Sequence, residues 1–457
     1  MRTSGSLLRA FAPLVVVWAS AGCDEGTKSP PLSHTETIVK TAPVPAENGP
    51  QLGAVAELVT VRAATDQRAA SLGSLHAGAR VARSSEPVSS AGCAGGWYAI
   101  RPRGFVCAGT EATLDLGHPT LAAMALAPTL DANLPYTYAR TRSETPLFER
   151  DPARPDGVRE IGKLRRRAGM AVVGSWKAKD SDGGEARLAL LTNGRFVRAA
   201  DLEAAKPSDF AGVELTKDVQ LPLAFVVKRG VRTFRIEGNE ADKGDLLEYH
   251  ARLSLSGRFR SLGSVKYWAL EGAKGRDQDV WVRHQDVTVV QKRSNFPNFL
   301  DGPTGENARW LDISVVTGTL TAYEGKRAVF TTLVSVAREL APGNGETQNA
   351  SDGPRPIPLG TFAVTRKDLT FSGKHALGFG ESFEVLDAPW VLELSSGQLL
   401  HGAYWHDRFG IEHGAGNLAL SPADAARVFR FVQPELPRGW HAAAAEADRA
   451  VQVVLRK

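Results

Sequence analysis

The sequence predicts a mainly β protein in which small β-barrels follow one another along the chain. Between residues 51 and 300, apolar residues alternate over short segments bounded by Gly, Pro and Ser, a pattern typical of half-buried strands. Such segments recur at a spacing of roughly 80 residues, which indicates a tandem array of similar units. The length of 457 residues, with 45 Gly and 26 Pro, suits about three or four modest, turn-rich domains.

The first 22 residues form a predicted export signal. Arg2 and Arg9 supply positive charge, and the apolar stretch from Ala10 to Ala19 is too short to span a bilayer. The segment ends in Ala21-Gly22-Cys23, which is similar to a bacterial lipobox, where the cysteine is lipidated and becomes the first residue. This resemblance implies an exported envelope protein that is anchored to a membrane through Cys23 and faces the periplasm. The alternative is an ordinary secretory signal with a chance cysteine.

Residues 23–50 are polar and rich in proline, which predicts a disordered tether. Beyond Cys23 the sequence contains two cysteines, Cys93 and Cys107, which fall in one predicted hairpin. In an oxidising compartment, such a pair indicates a disulfide rather than a metal site. No cysteine follows Cys107, so the C-terminal half contains no thiol of its own.

Three predicted units occupy residues 51–118, 119–208 and 209–300. Their short strands resemble bacterial Src-homology-3-like barrels, which implies modules that bind cell-wall peptides; spacer domains are the alternative. The net charge of +5 is compatible with an anionic wall or membrane surface and does not indicate a nucleic-acid partner. The basic run Lys163–Arg167 is predicted to be a solvated loop, with an anionic polymer or lipid contact as the alternative.

Residues 301–442 contain further strand patterns followed by one predicted helix. Ser421 is placed to cap this helix, Pro422 occupies its first position, and Asp424 suits the positive end of its dipole. Before the helix, His401-Gly402 is followed by the tetrapeptide 412–415, Glu-His-Gly-Ala. These two motifs, in this order, are the most informative feature of the chain.

The motifs resemble the active-site segment of the L,D-transpeptidase (YkuD-type) family, whose members cross-link peptidoglycan. That family has His-Gly followed by Ser-His-Gly-Cys, and the cysteine is the acyl-forming nucleophile. The resemblance implies a β-sandwich with a short helix for residues 301–442. It also implies that His413 corresponds to the base, Gly414 to the turn, Ala415 to the nucleophile and His401 to the opposite wall.

Alanine at position 415 has no lone pair or exchangeable proton, so it cannot form the acyl-enzyme that a thiolate would form. Glu412 replaces the family's Ser and would favour a protonated His413, which is unsuited to act as a base. We therefore predict a catalytically inactive relative that binds peptidoglycan stem peptides without a cofactor. The resemblance places its substrate-binding contacts at Gly402, Tyr404, Trp405, Glu412 and Asn417.

Two other functions remain open from the sequence. One is an active transpeptidase or hydrolase with a non-standard catalytic group, in which Glu412 and His413 assist attack by water. The other is a structural envelope protein made of interaction modules. A zinc site formed by His401 or His406 with Asp407 and His413 is disfavoured by the family precedent, and no metal is predicted. Residues 443–457 are predicted to form a helical tail because of their alanine run.

Overall fold

The computed structural model describes residues 42–124, 127–154, 157–179, 185–275, 278–302, 305–336, 357–371, 384–413 and 416–457. The predicted signal peptide, Cys23 and the first part of the tether lie outside the described residues, as do Gly414 and Ala415. Within these ranges strands dominate and the two α-helices are short, which confirms the predicted mainly β class. No helix in these ranges is long and apolar enough to cross a membrane.

The first unit contains seven short strands that pair in an antiparallel manner. They are β1 (Gln51–Ala54), β2 (Val59–Arg62), β3 (Ser71–Leu75), β4 (Arg80–Ala82), β5 (Trp97–Ala99), β6 (Phe105–Cys107) and β7 (Ala112–Thr113). Two runs, β3–β2–β6–β5 and β4–β1–β7, are linked by a bridge between Arg83 and Ile100. Apolar side chains from these strands enclose a core that also receives Trp440 from the far end of the chain.

The predicted disulfide between Cys93 and Cys107 is present, with the two Cα atoms 5.8 Å apart. It closes a segment with a sequence separation of 14 residues around the β5–β6 hairpin. We expect the double substitution Cys93→Ser and Cys107→Ser to lower the free energy of unfolding by about 3 kcal/mol, because the unfolded chain regains loop freedom. Urea unfolding of the oxidised protein and the variant measures this loss. Equal midpoints would mean that the hairpin is held by its packing alone.

The second unit begins with helix α1 (Pro119–Ala123), which packs beside a seven-stranded antiparallel sheet. Its strands are β8 (Thr137–Thr141), β9 (Thr145–Arg150), β10 (Val158–Leu164), β11 (Gly169–Lys179), β12 (Glu185–Leu191), β13 (Phe196–Arg198) and β14 (Leu202–Ala204). The spatial order is β10–β9–β13–β12–β11–β8–β14.

The third unit repeats that order. A short strand, β15 (Val213–Glu214), precedes β16 (Leu223–Val226), β17 (Arg232–Glu237), β18 (Glu240–Leu246), β19 (Arg252–Leu262), β20 (Val265–Gly275), β21 (Gln278–Arg283) and β22 (Val287–Val290). Their spatial order, β18–β17–β21–β20–β19–β16–β22, matches the second unit strand for strand. The bridged order of the first unit follows the same pattern. The internal repetition predicted from the sequence is therefore present as one strand order used three times.

The remaining elements form the C-terminal sandwich. They are β23 (Arg309–Ser314), β24 (Thr319–Glu324), β25 (Arg327–Leu333), β26 (Ser335–Val336), β27 (Gly360–Phe371), β28 (Ala388–Leu394), β29 (Leu399–Gly402), β30 (Leu418–Leu420), α2 (Pro422–Phe431), β31 (Ala442–Ala444) and β32 (Gln452–Arg456). The α2 N-terminus is capped as predicted, because the Ser421 hydroxyl accepts the Asp424 N–H at 3.2 Å. At the other end, the buried Lys367 ammonium donates to the carbonyls of Phe429 and Val432.

The prediction of a helical tail over residues 443–457 is wrong. Ala442–Ala444 forms β31, between β27 and β3, and Gln452–Arg456 forms β32. β32 pairs in parallel with β23 and antiparallel with β27, so it is an interior strand of the sheet. Val453 and Leu455 are buried on one side and Val454 packs on the other, an arrangement in which β-branched residues fit well. Pairing with distant strands overrides the local helix propensity of the alanines.

Candidate functional site

The described residues of the two sequence motifs, His401-Gly402 and Glu412-His413, lie on one loop that connects neighbouring parallel strands. His401-Gly402 ends β29, and the loop returns at Leu418 to form β30, which pairs with β29 in parallel. The side-chain oxygen of Asn417 accepts the N–H of Leu399 at 3.0 Å. This bond ties the last residue of the loop to the first residue of β29, so Asn417 holds the loop in place.

His401 lies in the interior of the protein. Its side chain is 0% exposed, and its ring stacks on Trp405 with the centroids 5.6 Å apart. Nδ1 lies 3.2 Å from the carbonyl oxygen of Gly402; because a carbonyl only accepts, Nδ1 carries the proton in this bond. Burial lowers the pKa of His401 to about 4, so the ring is neutral at pH 7.

His406 and His413 face each other at the outer part of the loop. Their ring centroids are 4.4 Å apart and their planes are nearly perpendicular. The Arg408 N–H donates to Nδ1 of His406, and burial, together with the neighbouring imidazoles, lowers the pKa of His406 to about 2. His406 is therefore a neutral ring that accepts through Nδ1.

Glu412 and His413 lie where the loop leaves the protein core. Glu412 is exposed and His413 is half-buried, and the backbone here makes a parallel bridge to Val336. Ile411, immediately before them, is exposed over 36% of its surface. We call residues 411–413 the lip of the loop, because it is the part that solvent reaches.

The middle of the loop is covered by the two preceding units. The Tyr404 ring lies 4.5 Å from the ring of Tyr138, measured between centroids, and a Cβ added at Gly169 would stand 2.5 Å from its hydroxyl oxygen. Phe409 stacks with Phe210 at 6.0 Å in the same apolar cluster. Tyr404 is 0% exposed and Trp405 is 7% exposed, so both lie inside a core shared by three sheets.

The third unit also holds the loop through polar contacts. The Asp407 carboxylate accepts from the Arg229 guanidinium at 2.8 Å, and its backbone carbonyl accepts the Tyr249 hydroxyl proton at 3.2 Å. The Asp407 carboxylate, which the zinc hypothesis required as a metal ligand, thus forms an ion pair with Arg229. In the part of the chain that the structure describes, no group of three or more His, Cys, Asp or Glu side chains is arranged to hold a metal.

The structure thus brings His401, Trp405, His406 and His413 into one chain of aromatic contacts. The proposed roles of Gly402, Tyr404, Trp405, Glu412 and Asn417 in substrate binding stay predictions. Sequence reasoning missed Tyr138, Phe210 and the other covering side chains, because nothing in their local sequence indicates contact with a loop so far along the chain. The two cysteines after Cys23, Cys93 and Cys107, are joined in a disulfide, so neither provides a thiol to this loop.

Solved structures that match part of this chain include L,D-transpeptidases. One from Xylanimonas cellulosilytica is 20% identical, over 34% of this chain and 62% of that one, with a TM-score of 0.22. A mutant enzyme from Enterococcus faecium is 14% identical, over 36% and 54% of the two chains, with a TM-score of 0.22. L,D-transpeptidase 1 of Mycobacterium tuberculosis is 16% identical over 55% and 98%, also with a TM-score of 0.22.

The match spans less than two thirds of the first two of these structures. No family model matches the sequence, and no curated protein matches it. With TM-scores of 0.22, these likenesses do not assign a function to the chain.

Proposed function

We propose that this protein is an exported, lipid-anchored member of the cell envelope that binds peptidoglycan stem peptides and does not transfer acyl groups. The observation that carries the proposal is the motif at residues 412–415, which keeps His413 and Gly414 but has Ala415 where the resembled family has its nucleophilic cysteine. An acyl-enzyme requires a nucleophile at this turn, and losing one removes several orders of magnitude of rate.

The accessible lip supports a binding role. Ile411 offers apolar surface, Glu412 a carboxylate and His413 a half-buried imidazole, all next to one another on the solvent side of the loop. Stem peptides carry both ammonium and carboxylate groups, so these residues supply complementary contacts. The neutral, buried His401 supports the shape of the loop from within.

The first test is mass spectrometry of muropeptides after incubation of the full chain with tetrapeptide-rich sacculi. We expect the native protein to leave the muropeptide pattern unchanged. The double variant Ala415→Cys, Glu412→Ser is expected to generate new cross-links or hydrolysis products, because it restores the thiol and removes the neighbouring carboxylate. Products from the native protein that disappear in Glu412→Gln would favour the active-enzyme alternative and contradict the proposal.

Binding is measured separately by co-sedimentation with purified sacculi. The charge reversal Glu412→Lys is expected to weaken retention, whereas Glu240→Lys, a reversal at another exposed position on β18, serves as the matched control. Loss of retention in both variants would indicate a general effect of charge. Absence of retention in the native protein would contradict stem-peptide binding.

One observation favours a second function, that of a structural envelope protein. Tyr404 and Trp405, which the family resemblance places among the substrate contacts, are buried in the apolar cluster shared with the preceding units instead of facing solvent. A loop that packs against other units acts as a structural element, which agrees with a protein built from interaction modules. A stable protein partner in cross-linking, together with no retention on sacculi, would support this function.

A further inference from the structure

A cavity lies away from the loop, where the first unit, α1, the second sheet and the C-terminal sandwich meet. Its volume is about 600 Å³, within the usual range for small-molecule sites. The first unit contributes residues 76–80, α1 contributes Leu121, β11 contributes Val173, and the segment before β31 contributes residues 438–441. The described lining residues all lie outside 399–417, so this cavity is independent of the proposed function.

Two imidazoles lie together in the wall of the cavity. The rings of His76 and His441 are 4.6 Å apart between centroids, and both side chains are at least nine-tenths buried. Nε2 of His441 lies 2.8 Å from the carbonyl oxygen of Thr370, so Nε2 carries the proton. Nδ1 is then an acceptor, and it has no hydrogen-bond partner among the residues that the structure describes. A buried acceptor without a partner is costly, which points to a ligand that donates an N–H or O–H.

Both imidazoles are neutral at pH 7. Burial lowers the pKa of His76 to about 3, and the adjacent His441 lowers it further; burial likewise lowers the pKa of His441 to about 4. His441 therefore presents a lone pair to a donor and does not attract an anion itself.

Two arginines of the lining supply the charge that the imidazoles lack. Arg80 and Arg438 are exposed, and neither guanidinium makes an ion pair or side-chain hydrogen bond within the described ranges. The described lining contains no Asp or Glu that would repel an anion. Free guanidinium groups next to a concave surface are suited to bind a carboxylate in a bidentate manner.

The rest of the lining is mostly apolar. Leu121, Met124, Val173, Leu369 and Trp440 provide the walls, so the cavity is suited to hydrocarbon or small aliphatic side chains. A ligand that matches all three features has an anionic end, an adjacent N–H donor and an apolar body.

We propose that this cavity binds the C-terminal end of a short peptide. The terminal carboxylate lies at Arg80 and Arg438, an amide N–H of the ligand donates to Nδ1 of His441, and the side chains pack against the apolar walls. Peptides released from the cell wall and peptides derived from proteins share this chemistry. They differ in the configuration of the terminal residue, which the test below distinguishes.

The test is isothermal titration of the full chain with acetyl-leucyl-alanine, as the free acid and as the carboxamide, with either L- or D-alanine. We expect at least one free acid to bind about tenfold or more tightly than its carboxamide, because charge-assisted hydrogen bonds are lost in the amide. Preference for D-alanine would identify wall peptides as the source, and preference for L-alanine would identify protein-derived peptides. Equal affinity of acid and carboxamide, or no binding at millimolar peptide, would overturn the proposal.

Variants separate the two contacts. Arg80→Ala and Arg438→Ala are each expected to weaken binding of the free acid by about tenfold, while Arg68→Ala, an exposed arginine of the same unit, leaves it unchanged. His441→Gln retains a donor for Thr370 but lacks the Nδ1 acceptor, so it is expected to weaken binding of acid and carboxamide alike. Unchanged affinity in both arginine variants would contradict the carboxylate assignment.

Discussion

Deletion of residues 451–457 is expected to prevent the C-terminal sandwich from folding. The deletion removes β32, which lies between β23 and β27 and pairs with both. It also removes Val451, Val453, Val454 and Leu455, all buried. Burying a side chain of this size contributes about 2 kcal/mol, so the four together contribute about 8 kcal/mol, which is comparable to the entire stability of a typical domain.

Far-UV circular dichroism and limited proteolysis of the truncated chain measure this effect. The control is removal of Lys457 alone, because that residue is exposed and lies beyond the strand. A truncated chain that melts like the native protein would mean that the sandwich does not depend on β32.

A point substitution examines the same strand without truncation. The buried Asp312 carboxylate on β23 accepts hydrogen bonds from Arg456 on β32 at 3.0 and 3.1 Å and also contacts Arg293. Arg456→Ala is expected to cost about 2 kcal/mol of unfolding free energy, because hydrogen bonds to a charged group are lost. Arg449→Ala is the matched control: its contact with Glu446 is 3.6 Å long and highly exposed, so the expected change is near zero.

The sequence predicts those elements whose signal is local. The β23–β24 hairpin and β28 match the strands that the family resemblance implies for residues 301–442, and the start of α2 follows from the hydrogen-bonding capacity of Ser421 and the fixed φ of Pro422. The prediction of a helix for residues 443–457 is wrong because the signal that decides this segment is not local. Its alanines favour a helix in isolation, and only pairing with β27 and β3, far away in sequence, makes Ala442–Ala444 a strand.

In the candidate site, too, some features are predicted by local sequence and others are not. The positions of His401 and His413 follow from two short motifs, and the structure places both histidines on the same loop. The covering of Tyr404 by Tyr138 and Gly169 depends on how separate units pack, and no pattern within a window of residues reports such packing. A motif therefore locates the loop, whereas its accessibility is set by residues more than two hundred positions earlier in the chain.

Acidification from pH 7.5 to pH 5 is expected to destabilise the protein strongly, because several buried imidazoles are neutral in the folded state. Burial lowers the pKa of His401 and His441 to about 4, that of His76 to about 3 and that of His406 to about 2. In the unfolded chain these rings have a pKa of about 6.5. They therefore bind protons at pH values at which the buried rings of the folded protein stay neutral. Stability is therefore fully present above pH 6.5 and is lost as the pH falls toward 4.

At pH 5 each of the four rings is expected to contribute a loss of about 2 kcal/mol, or about 8 kcal/mol together. Asp424 acts in the opposite direction, since burial raises its pKa to about 6 and the folded state takes up its proton first. Protonation of this carboxyl adds about 1 kcal/mol to the free energy of unfolding at pH 5. The loss from the histidines is larger, so the net effect of acidification is destabilising.

Urea unfolding at pH 7.5 and pH 5 measures the difference, and the variant His441→Gln shows whether the assigned groups cause it. Glutamine does not titrate, so the pH-dependent loss in the variant is expected to be about 2 kcal/mol smaller than in the native protein. Only the difference between the two pH values is compared, because any cost of the substitution that does not depend on pH cancels. A native protein that is equally stable at both pH values would show that the imidazoles take up protons in the folded state as readily as in the unfolded state. The close packing of His401 against Trp405 would then not describe the protein in solution.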